Sequence, residues 1–288
     1  MSADNKTQII RKGLSVVGPR KNNQDSHAFF EPHDAARRAE KGSLVLVADG
    51  MGGHAGGEVA SRLAANVVQE AYARDTDPDV TVSLTRAMEA ANFAIWDRAQ
   101  NEPELQGMGT TCTAVVIRGD EATFAHVGDS RAYLVRKGKV VQLTHDHAVT
   151  TSTESGAEAN VLTRALGTEE KVRVDTPGQA IRIRHADHFI LCSDGVGRSV
   201  TEQDLAEAVA KNSPAEACNK LVEIASARGA NDNMTVEVVK VEFMRDGARG
   251  FWNRIRRLTG GSSNTEPRRT TSQVVVARAT TNTRNHKK

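Results

Sequence analysis

Three aspartates in this chain stand at the ends of apolar runs, and each is followed directly by Gly or Asn. They are Asp49 in LVLVADGMGGHAGGE, Asp194 in HFILCSDGVG and Asp232 in GANDNMTVEVVKV. A fourth aspartate, Asp129, occupies a similar place in FAHVGDSRAYL. One Asp-Gly pair is an ordinary turn, but several buried strands ending on turn carboxylates can gather oxygen ligands around a divalent cation. The pattern therefore predicts a metal-dependent hydrolase.

The chemistry expected of such a group follows from its ligand type. Three or four carboxylates at strand ends can hold two Mg²⁺ or Mn²⁺ ions close together, whereas an oxygen-only set argues against zinc or copper. A pair of these ions lowers the pKa of a bound water and stabilises charge on a phosphoryl oxygen. Glycines beside the aspartates allow backbone carbonyls or a ligand to approach closely.

The elements that must position these aspartates are predicted from periodicity and capping signals. Short β-type runs lie at 13–17, 44–47, 112–117, 123–127, 132–135, 140–143, 181–184, 189–192 and 234–241. Helical patterns lie at 57–73 and 80–100, and Thr201 and Ser213-Pro214 begin two more that reach residues 210 and 227. Strands grouped with helices, without strict alternation, favour an α+β fold with antiparallel sheets.

Composition sets the broad class of the protein. The 288 residues are 39% hydrophobic and 26% charged, which is typical of a soluble globular protein. The start MSADNKTQII lacks a signal-peptide pattern, and no window has the length of a membrane span. Three cysteines without a CxxC pair indicate reduced thiols and a cytoplasmic location.

Charge divides the chain in two. Residues 245–288 carry a net +9 and the preceding 1–244 a net −7, so we expect a folded acidic domain and a basic tail. The segment GGSSNTEPRRTTSQ has little to bury, which predicts disorder. Residues 251–258 fit either a partner or membrane-surface helix or a loosely packed extension. The tail lacks interleaved aromatics, which favours contact with anionic surfaces, including peripheral membrane association, over specific nucleic-acid binding.

The motifs ADGMGGHAGG, GMGTT, GDSR, CSDG and NDNMTV occur here in the order found in metal-dependent protein phosphatases of type 2C, the PPM family. The opening GPRKNNQDS also resembles that family, and the GMGGH form of the glycine loop is similar to its bacterial branch. The resemblance spans about residues 8 to 242. It implies an α-β-β-α sandwich, in which two antiparallel sheets are flanked by helices.

The resemblance also implies a metal-ligand set. Asp49 matches the aspartate that bridges two metal ions, and the carbonyl of Gly50 matches a ligand of the second ion. Asp194 and Asp232 match the remaining ligands of the first ion. Asp129 matches a residue that, with Asp194, holds a third and weaker ion. Thr110 and Thr111 of GMGTT are expected to support the metal loops rather than react.

The implied reaction is hydrolysis of phosphoserine and phosphothreonine by a water that two metal ions activate. Arg20 matches the arginine that clamps the substrate phosphate, and Asp25 matches an acid that contacts metal-bound water. Phosphorylated proteins are the implied partners, among them a bacterial Ser/Thr kinase and its substrates. We expect the protein to act as a monomer.

This sequence departs from the family pattern at several positions, which leaves alternatives open. Gln24 stands where Glu is frequent, and Met51 stands where some relatives have a proposed general acid. The stretch 146–162 occupies the place of the flap and looks short. One alternative is an inactive phosphoprotein-binding relative, and another is a phosphatase restricted to one signalling protein. His54 and the His-Asp-His of 145–147 are explained by loop structure as well as by chemistry.

Overall fold

The computed structural model describes residues 6–52, 56–152 and 158–244, and the predicted tail lies outside these ranges. The strands, in chain order, are β1 (Lys6–Val16), β2 (Asp25–Phe30), β3 (Ser43–Met51), β4 (Gly109–Thr110), β5 (Cys112–Arg118), β6 (Glu121–Val127), β7 (Arg131–Arg136), β8 (Lys139–Gln142), β9 (Ala148–Ser152), β10 (Glu158–Leu162), β11 (Ile181–Arg182), β12 (His188–Cys192) and β13 (Met234–Met244). The α-helices are α1 (Ala35–Lys41), α2 (Gly56–Arg74), α3 (Val80–Asn101), α4 (Asp194–Gly197), α5 (Glu202–Ala210) and α6 (Pro214–Ala227).

The strands pair into two large antiparallel sheets and a ribbon. One sheet has the order β1-β13-β12-β7-β8, and the other has the order β11-β6-β5-β3-β2, with β4 attached to β3. The ribbon consists of β9 and β10. The first sheet joins the two ends of the described chain, because β1 pairs with β13 along its whole length.

The core has three layers, which the alternating side chains of β3 illustrate. Leu44, Leu46 and Ala48 pack in the cluster that α2 and α3 cover. Val45 and Val47 point the other way, into the cluster between the two sheets. A third cluster lies between the other sheet and the helices α5 and α6. This arrangement is the predicted α-β-β-α sandwich.

Helix starts follow the capping chemistry read from the sequence. Thr201 accepts from the backbone N–H of Asp204, whose side chain bonds back to the Thr201 N–H, and this capping box begins α5. Ser213 and Glu216 form the same box ahead of α6, with Pro214 in its first turn. The two boxes confirm the predicted start of each helix. No helix in the ranges that the structure describes combines the length and apolarity needed to cross a bilayer.

Several elements were not predicted, among them β2, helix α1 and the ribbon β9–β10. Helix α1, capped by Asp34, was not predicted, because most of its side chains are exposed and show no apolar stripe. The described ends of the predicted flap form the ribbon β9–β10, in which Val149 pairs with Val161. A two-residue turn joins β7 and β8: Lys137 and Gly138 both have positive φ, as a type I′ turn requires.

Candidate active site

Two of the predicted aspartates face each other across neighbouring strands. Asp25 begins β2 and is paired in register with Asp49 near the end of β3. The backbone of Asp49 is fixed by GMGTT: its N–H donates to the Thr111 hydroxyl at 2.9 Å, and its carbonyl accepts from the Thr110 hydroxyl at 2.9 Å. These bonds show that the two threonines support the end of β3 that carries Asp49.

The other sheet contributes Asp194 and Asp232 through a close crossing of backbone. Asp194 follows β12 at the start of α4, and Asp232 lies just before β13. A Cβ on Gly195 would lie 2.1 Å from the carbonyl oxygen of Asn233 and 3.4 Å from the Cβ of Asp232. Only a glycine allows these two segments to approach so closely. The structure thus brings Asp194 and Asp232 together.

Gly50 occupies a second crowded position. A Cβ there would lie 2.0 Å from the carbonyl oxygen of Gly57 and 2.6 Å from that of Gln24. The Gly50 N–H donates to the Gln24 carbonyl at 3.1 Å. The glycine therefore lets the start of α2 and the segment before β2 close around the end of β3.

The two sheets are joined at the site by a buried serine that the sequence analysis missed. The hydroxyl of Ser193 donates to Asp25 Oδ2 at 2.7 Å and accepts from the backbone N–H of Thr235 at 3.0 Å. Ser193 is fully buried, and Asp25 is 8% exposed. The serine thus fixes one carboxylate oxygen of Asp25, which belongs to one sheet, from the end of a strand in the other.

The electrostatics confirm that the carboxylates share one environment. Burial raises the pKa of Asp25 to about 6, and the charges of Asp194 and Asp232 contribute in the same direction. Burial also raises the pKa of Asp49 well above its usual range, followed by the charges of Asp25 and Asp194. For Asp129 the pKa is again raised, first by burial and then by Asp194. Such mutual repulsion favours a bound cation.

The donor set fits a hard divalent cation. Asp25 Oδ1 and Asp194 Oδ1 are buried and, within the described residues, have no hydrogen-bond partner. Unpaired buried carboxylate oxygens are costly unless a cation or a donor reaches them. No group of three His, Cys, Asp or Glu side chains in residues 6–52, 56–152 and 158–244 is arranged as a ready-made metal site. Arginines balance several of the carboxylates instead.

Arg20 is one of these arginines, and it lies beside the predicted metal ligands. Its Nη2 donates to Asp232 Oδ2 at 2.6 Å and its Nε donates to the Asn231 carbonyl at 2.9 Å. The side chain is about half exposed. These bonds use two of the five N–H groups of a guanidinium. Arg20 is therefore at the rim of the aspartate group, within reach of solvent.

Arg198, which the sequence analysis also missed, contacts two of the aspartates. Its Nη2 donates to Asp129 Oδ2, and its Nη1 lies 3.2 Å from Asp194 Oδ2. Asn233 was missed as well: it is buried, and its amide donates to the carbonyls of Val17 and Asn22. The contact of Arg198 with Asp129 and the contacts of Asn233 join residues far apart in the sequence, so no local signal marks them.

The His-Asp-His of 145–147 is a structural element. His147 Nδ1 accepts from the Gly128 N–H at 3.0 Å, and its Nε2 lies 3.0 Å from Asp175 Oδ2. Asp146 instead receives a fork of hydrogen bonds from Arg131. His54 lies outside the described residues.

A family model described as Protein phosphatase 2C matches residues 13–235. This span contains every site residue predicted above and most of the chain. The chain belongs to the protein phosphatase 2C family. Its relatives include bacterial enzymes, in agreement with the branch that the glycine loop predicted.

Two curated relatives show the extent of the similarity. The serine/threonine phosphatase Stp of Listeria innocua is 34% identical over 244 residues, which make up 79% of this chain and 94% of Stp. The serine/threonine protein phosphatase PstP of Mycobacterium tuberculosis is 37% identical over 211 residues, or 69% of this chain and 40% of PstP. The chain thus spans about two fifths of the length of PstP.

A solved serine/threonine protein phosphatase shares the fold. The crystal structure of the catalytic domain of PstP in complex with two manganese ions aligns with a TM-score of 0.67 and 32% identity. The alignment covers 82% of this chain and all of that domain. The manganese ions belong to that structure. For the present 2C chain, metal ligation by Asp49, Gly50, Asp129, Asp194 and Asp232 stays a prediction, as do the roles of Arg20 and Asp25.

Proposed function

We propose that this chain is a metal-dependent protein phosphatase that hydrolyses phosphoserine and phosphothreonine. The observation that carries the proposal is the convergence of Asp25, Asp49, Asp194 and Asp232 from both sheets in one partly buried environment that raises the pKa of the first two. Membership of the 2C family supports the same reaction.

Two Mn²⁺ or Mg²⁺ ions are the proposed cofactors. Asp49, Asp194 and Asp232 would hold them through carboxylate oxygens, together with the carbonyl of Gly50. The unpartnered Oδ1 atom of Asp194 is a suitable donor. When bound, such ions lower the pKa of a water and neutralise charge on a phosphoryl oxygen. Both ions accept an oxygen ligand set, so the choice between them has to be measured.

The side chains of the protein have separate tasks in this reaction. Arg20 binds the substrate phosphate, since its guanidinium fork matches two phosphate oxygens and its present contact with Asp232 is exposed enough to be exchanged. Ser193 fixes Oδ2 of Asp25 and leaves Oδ1 to accept a hydrogen bond from water. Thr110 and Thr111 fix the backbone of Asp49 through hydrogen bonds to its carbonyl and its N–H.

Hydrolysis of p-nitrophenyl phosphate and a phosphothreonine peptide tests the proposal directly. Wild type and Asp232→Ala are compared with and without Mn²⁺, and Mn²⁺ binding is measured separately by titration calorimetry. We expect activity that requires Mn²⁺ and collapses in the variant. Wild type that binds Mn²⁺ without turnover would instead identify a phosphoprotein-binding relative. Activity that survives Asp49→Asn would overturn the site assignment.

The ribbon β9–β10 supports a preference for whole protein substrates. Val149 and Val161 are cross-strand neighbours, and both are about half exposed. Such a pair can contact an apolar residue of a protein substrate. Turnover of varied phosphopeptides is compared with that of phosphorylated proteins, in wild type and in Val149→Thr. Equal turnover of all peptides would count against a restricted phosphatase.

We further propose that the partners include a Ser/Thr kinase and its substrates, and that the monomer acts in the cytoplasm. The charge of +9 in residues 245–288 would attract anionic surfaces. Deletion of 245–288 is expected to leave peptide turnover unchanged and to weaken binding to vesicles that contain anionic lipid. Unchanged vesicle binding would remove the tail from this role.

A further inference from the structure

Arg198 forms a bridge between two of the site carboxylates. One terminal nitrogen, Nη2, donates to Asp129 Oδ2, and the other, Nη1, lies 3.2 Å from Asp194 Oδ2. Asp129 is 5% exposed, so its carboxylate is nearly cut off from water. A single guanidinium thus serves as counter-ion to two carboxylates that come from different elements.

The backbone that carries Arg198 is held in place by independent contacts. The Arg198 N–H donates to the Asp194 carbonyl at 2.9 Å, which closes the short helix α4. Arg131 Nη1 donates to the Gly197 carbonyl at 2.7 Å, and Arg131 is itself anchored by Asp146 at 2.7 Å. The backbone at Arg198 is therefore fixed, which restricts where its guanidinium can lie.

The contacts place one cation between two acids. Asp129 Oδ2 accepts from Nη2 of Arg198 and Asp194 Oδ2 lies 3.2 Å from its Nη1, so both carboxylates are paired with the same guanidinium. A guanidinium stays protonated at any pH at which the protein is folded, and its planar fork can engage two acceptors at once. Arg198 thus supplies a permanent positive charge between the two acids.

We propose that Arg198 is a built-in cation that takes the place of a further divalent ion on Asp129 and Asp194. An ion held by both residues would lie between them, where the guanidinium now lies, so it has to displace Arg198. The inference rests on the proposed function, because it concerns the regulation of the same site by divalent cations. With Arg198 in place, the wild-type protein would bind only the two ions proposed above and no third ion on Asp129 and Asp194.

The test counts Mn²⁺ ions per chain by equilibrium dialysis and elemental analysis over rising Mn²⁺ concentration. Arg198→Met removes the charge and keeps most of the side-chain bulk, whereas Arg198→Lys keeps the charge. Arg98→Ala is the control, because the Arg98 side chain is 43% exposed, close to the 36% of Arg198, and pairs with Glu102 four residues along the chain. We expect Arg198→Met to take up one more ion than wild type, with at least tenfold tighter binding at that site.

The remaining variants decide whether the extra ion occupies the proposed place. Arg198→Lys and Arg98→Ala should match wild type, and Asp129→Asn introduced into Arg198→Met should abolish the extra ion. Anomalous diffraction from Mn²⁺-soaked crystals should show Arg198 still between the two aspartates in wild type. The inference is overturned if wild type and Arg198→Met bind the same number of ions with the same affinity.

The outcome is separate from that of the proposed function. If wild type binds two ions and hydrolyses phosphopeptides, while Arg198→Met gains nothing, the phosphatase assignment stands and the inference fails. If wild type binds no Mn²⁺, the proposed function fails. In that case one ion gained by Arg198→Met and lost again with Asp129→Asn would still establish Arg198 as the cation of this pair.

Discussion

Gly195→Ala tests whether the close crossing beside Asp194 and Asp232 sets the geometry of the site. The added Cβ would lie 2.1 Å from the Asn233 carbonyl oxygen, about 1.3 Å inside the 3.4 Å at which ordinary contact begins. The obstacle is backbone, which cannot rotate out of the way as a long side chain can. Either α4 or the segment before β13 has to move, and each carries one of the two aspartates.

The segment before β13 cannot yield easily, because the Asn233 side chain anchors it. The amide of Asn233 donates to the carbonyls of Val17 and Asn22 at 2.8 and 2.9 Å, and its oxygen accepts from the Gln24 N–H at 2.8 Å. Overpacking against such a fixed neighbour costs about 1–3 kcal/mol. For a domain of this size, that cost lowers the melting temperature by roughly 2–12 °C.

The larger effect falls on function. A displacement of about 1 Å between groups that must act together can reduce the rate about a hundredfold. We therefore expect Gly195→Ala to weaken Mn²⁺ binding at least about tenfold and to reduce phosphopeptide turnover by about a hundredfold. Mn²⁺ affinity is measured by calorimetry, stability by thermal unfolding in EDTA, and turnover with a phosphothreonine peptide.

Gly178→Ala is the matched control. A Cβ at Gly178 meets no heavy atom within 4 Å, and its φ is outside the left-handed region. This substitution should leave stability within about 0.5 kcal/mol and Mn²⁺ affinity unchanged. The reasoning is refuted if Gly195→Ala melts within about 1 °C of Gly178→Ala and binds Mn²⁺ as tightly.

Three further substitutions test individual contacts. Thr111→Val removes the hydroxyl that binds the Asp49 N–H, and should cost about 1–3 kcal/mol in urea unfolding. Arg11→Ala deprives the fully buried Glu237 of an ion pair at 3.0 Å and should cost about 3 kcal/mol. Burial, and then a neighbouring histidine, lowers the pKa of His126 to about 4. His126 therefore contributes up to about 3 kcal/mol above pH 6.5, lost as the pH falls through 4, and His126→Gln should remove this dependence.

Different results would contradict each of these expectations. Thr111→Ser keeps the hydroxyl, so a loss as large as that of Thr111→Val would mean that the methyl group matters and the hydrogen bond does not. If Arg11→Ala lowers the free energy of unfolding by less than about 1 kcal/mol, its ion pair contributes no more than an exposed pair does. An unchanged pH profile in His126→Gln would assign the acid sensitivity to other groups.

The sequence was sufficient for the elements that have a local signal. The helices predicted at 57–73 and 80–100 correspond to α2 and α3 within a residue at each end, because apolar side chains repeat along one face. The capping box at Thr201 and the pair Ser213-Pro214 placed the starts of α5 and α6. By contrast, the strand expected at 13–17 begins at Lys6, because most of its length is held by pairing with β13. Such pairing is invisible in the local pattern.

The same division applies to the site. Asp25, Asp49 and Asp194 could be predicted because turn motifs and family resemblance mark them, and the structure places them in one environment. Ser193 and Arg198 could not be, since their partners are distant in the chain or depend on how α4 meets β6. Motifs thus identify the groups that do chemistry, while the groups that hold them appear only after folding.

Charge repulsion at the site gives one more prediction, which concerns stability without metal. The pKa of Asp25 is raised to about 6, mainly by burial. A raised pKa in the folded state means that the stability contribution is complete below the unfolded value of 3.8 and is lost as the pH rises through 6. At pH 7, ionised Asp25 therefore destabilises the metal-free protein by up to about 3 kcal/mol.

Asp25→Asn removes this cost, so in EDTA at pH 7 the variant should be more stable than wild type, by up to about 3 kcal/mol in urea unfolding. At pH 4 the two should unfold alike, since Asp25 is then protonated in the folded protein. Mn²⁺ should reverse the order at pH 7, because a divalent cation stabilises the ionised carboxylate and binds only the folded chain. Equal stability at pH 7 in EDTA would mean that Asp25 imposes no such cost. In that case the ionised Asp25 would be accommodated by the folded protein alone. The predicted result would instead show that ionised Asp25 destabilises the metal-free fold and becomes favourable only when a cation binds.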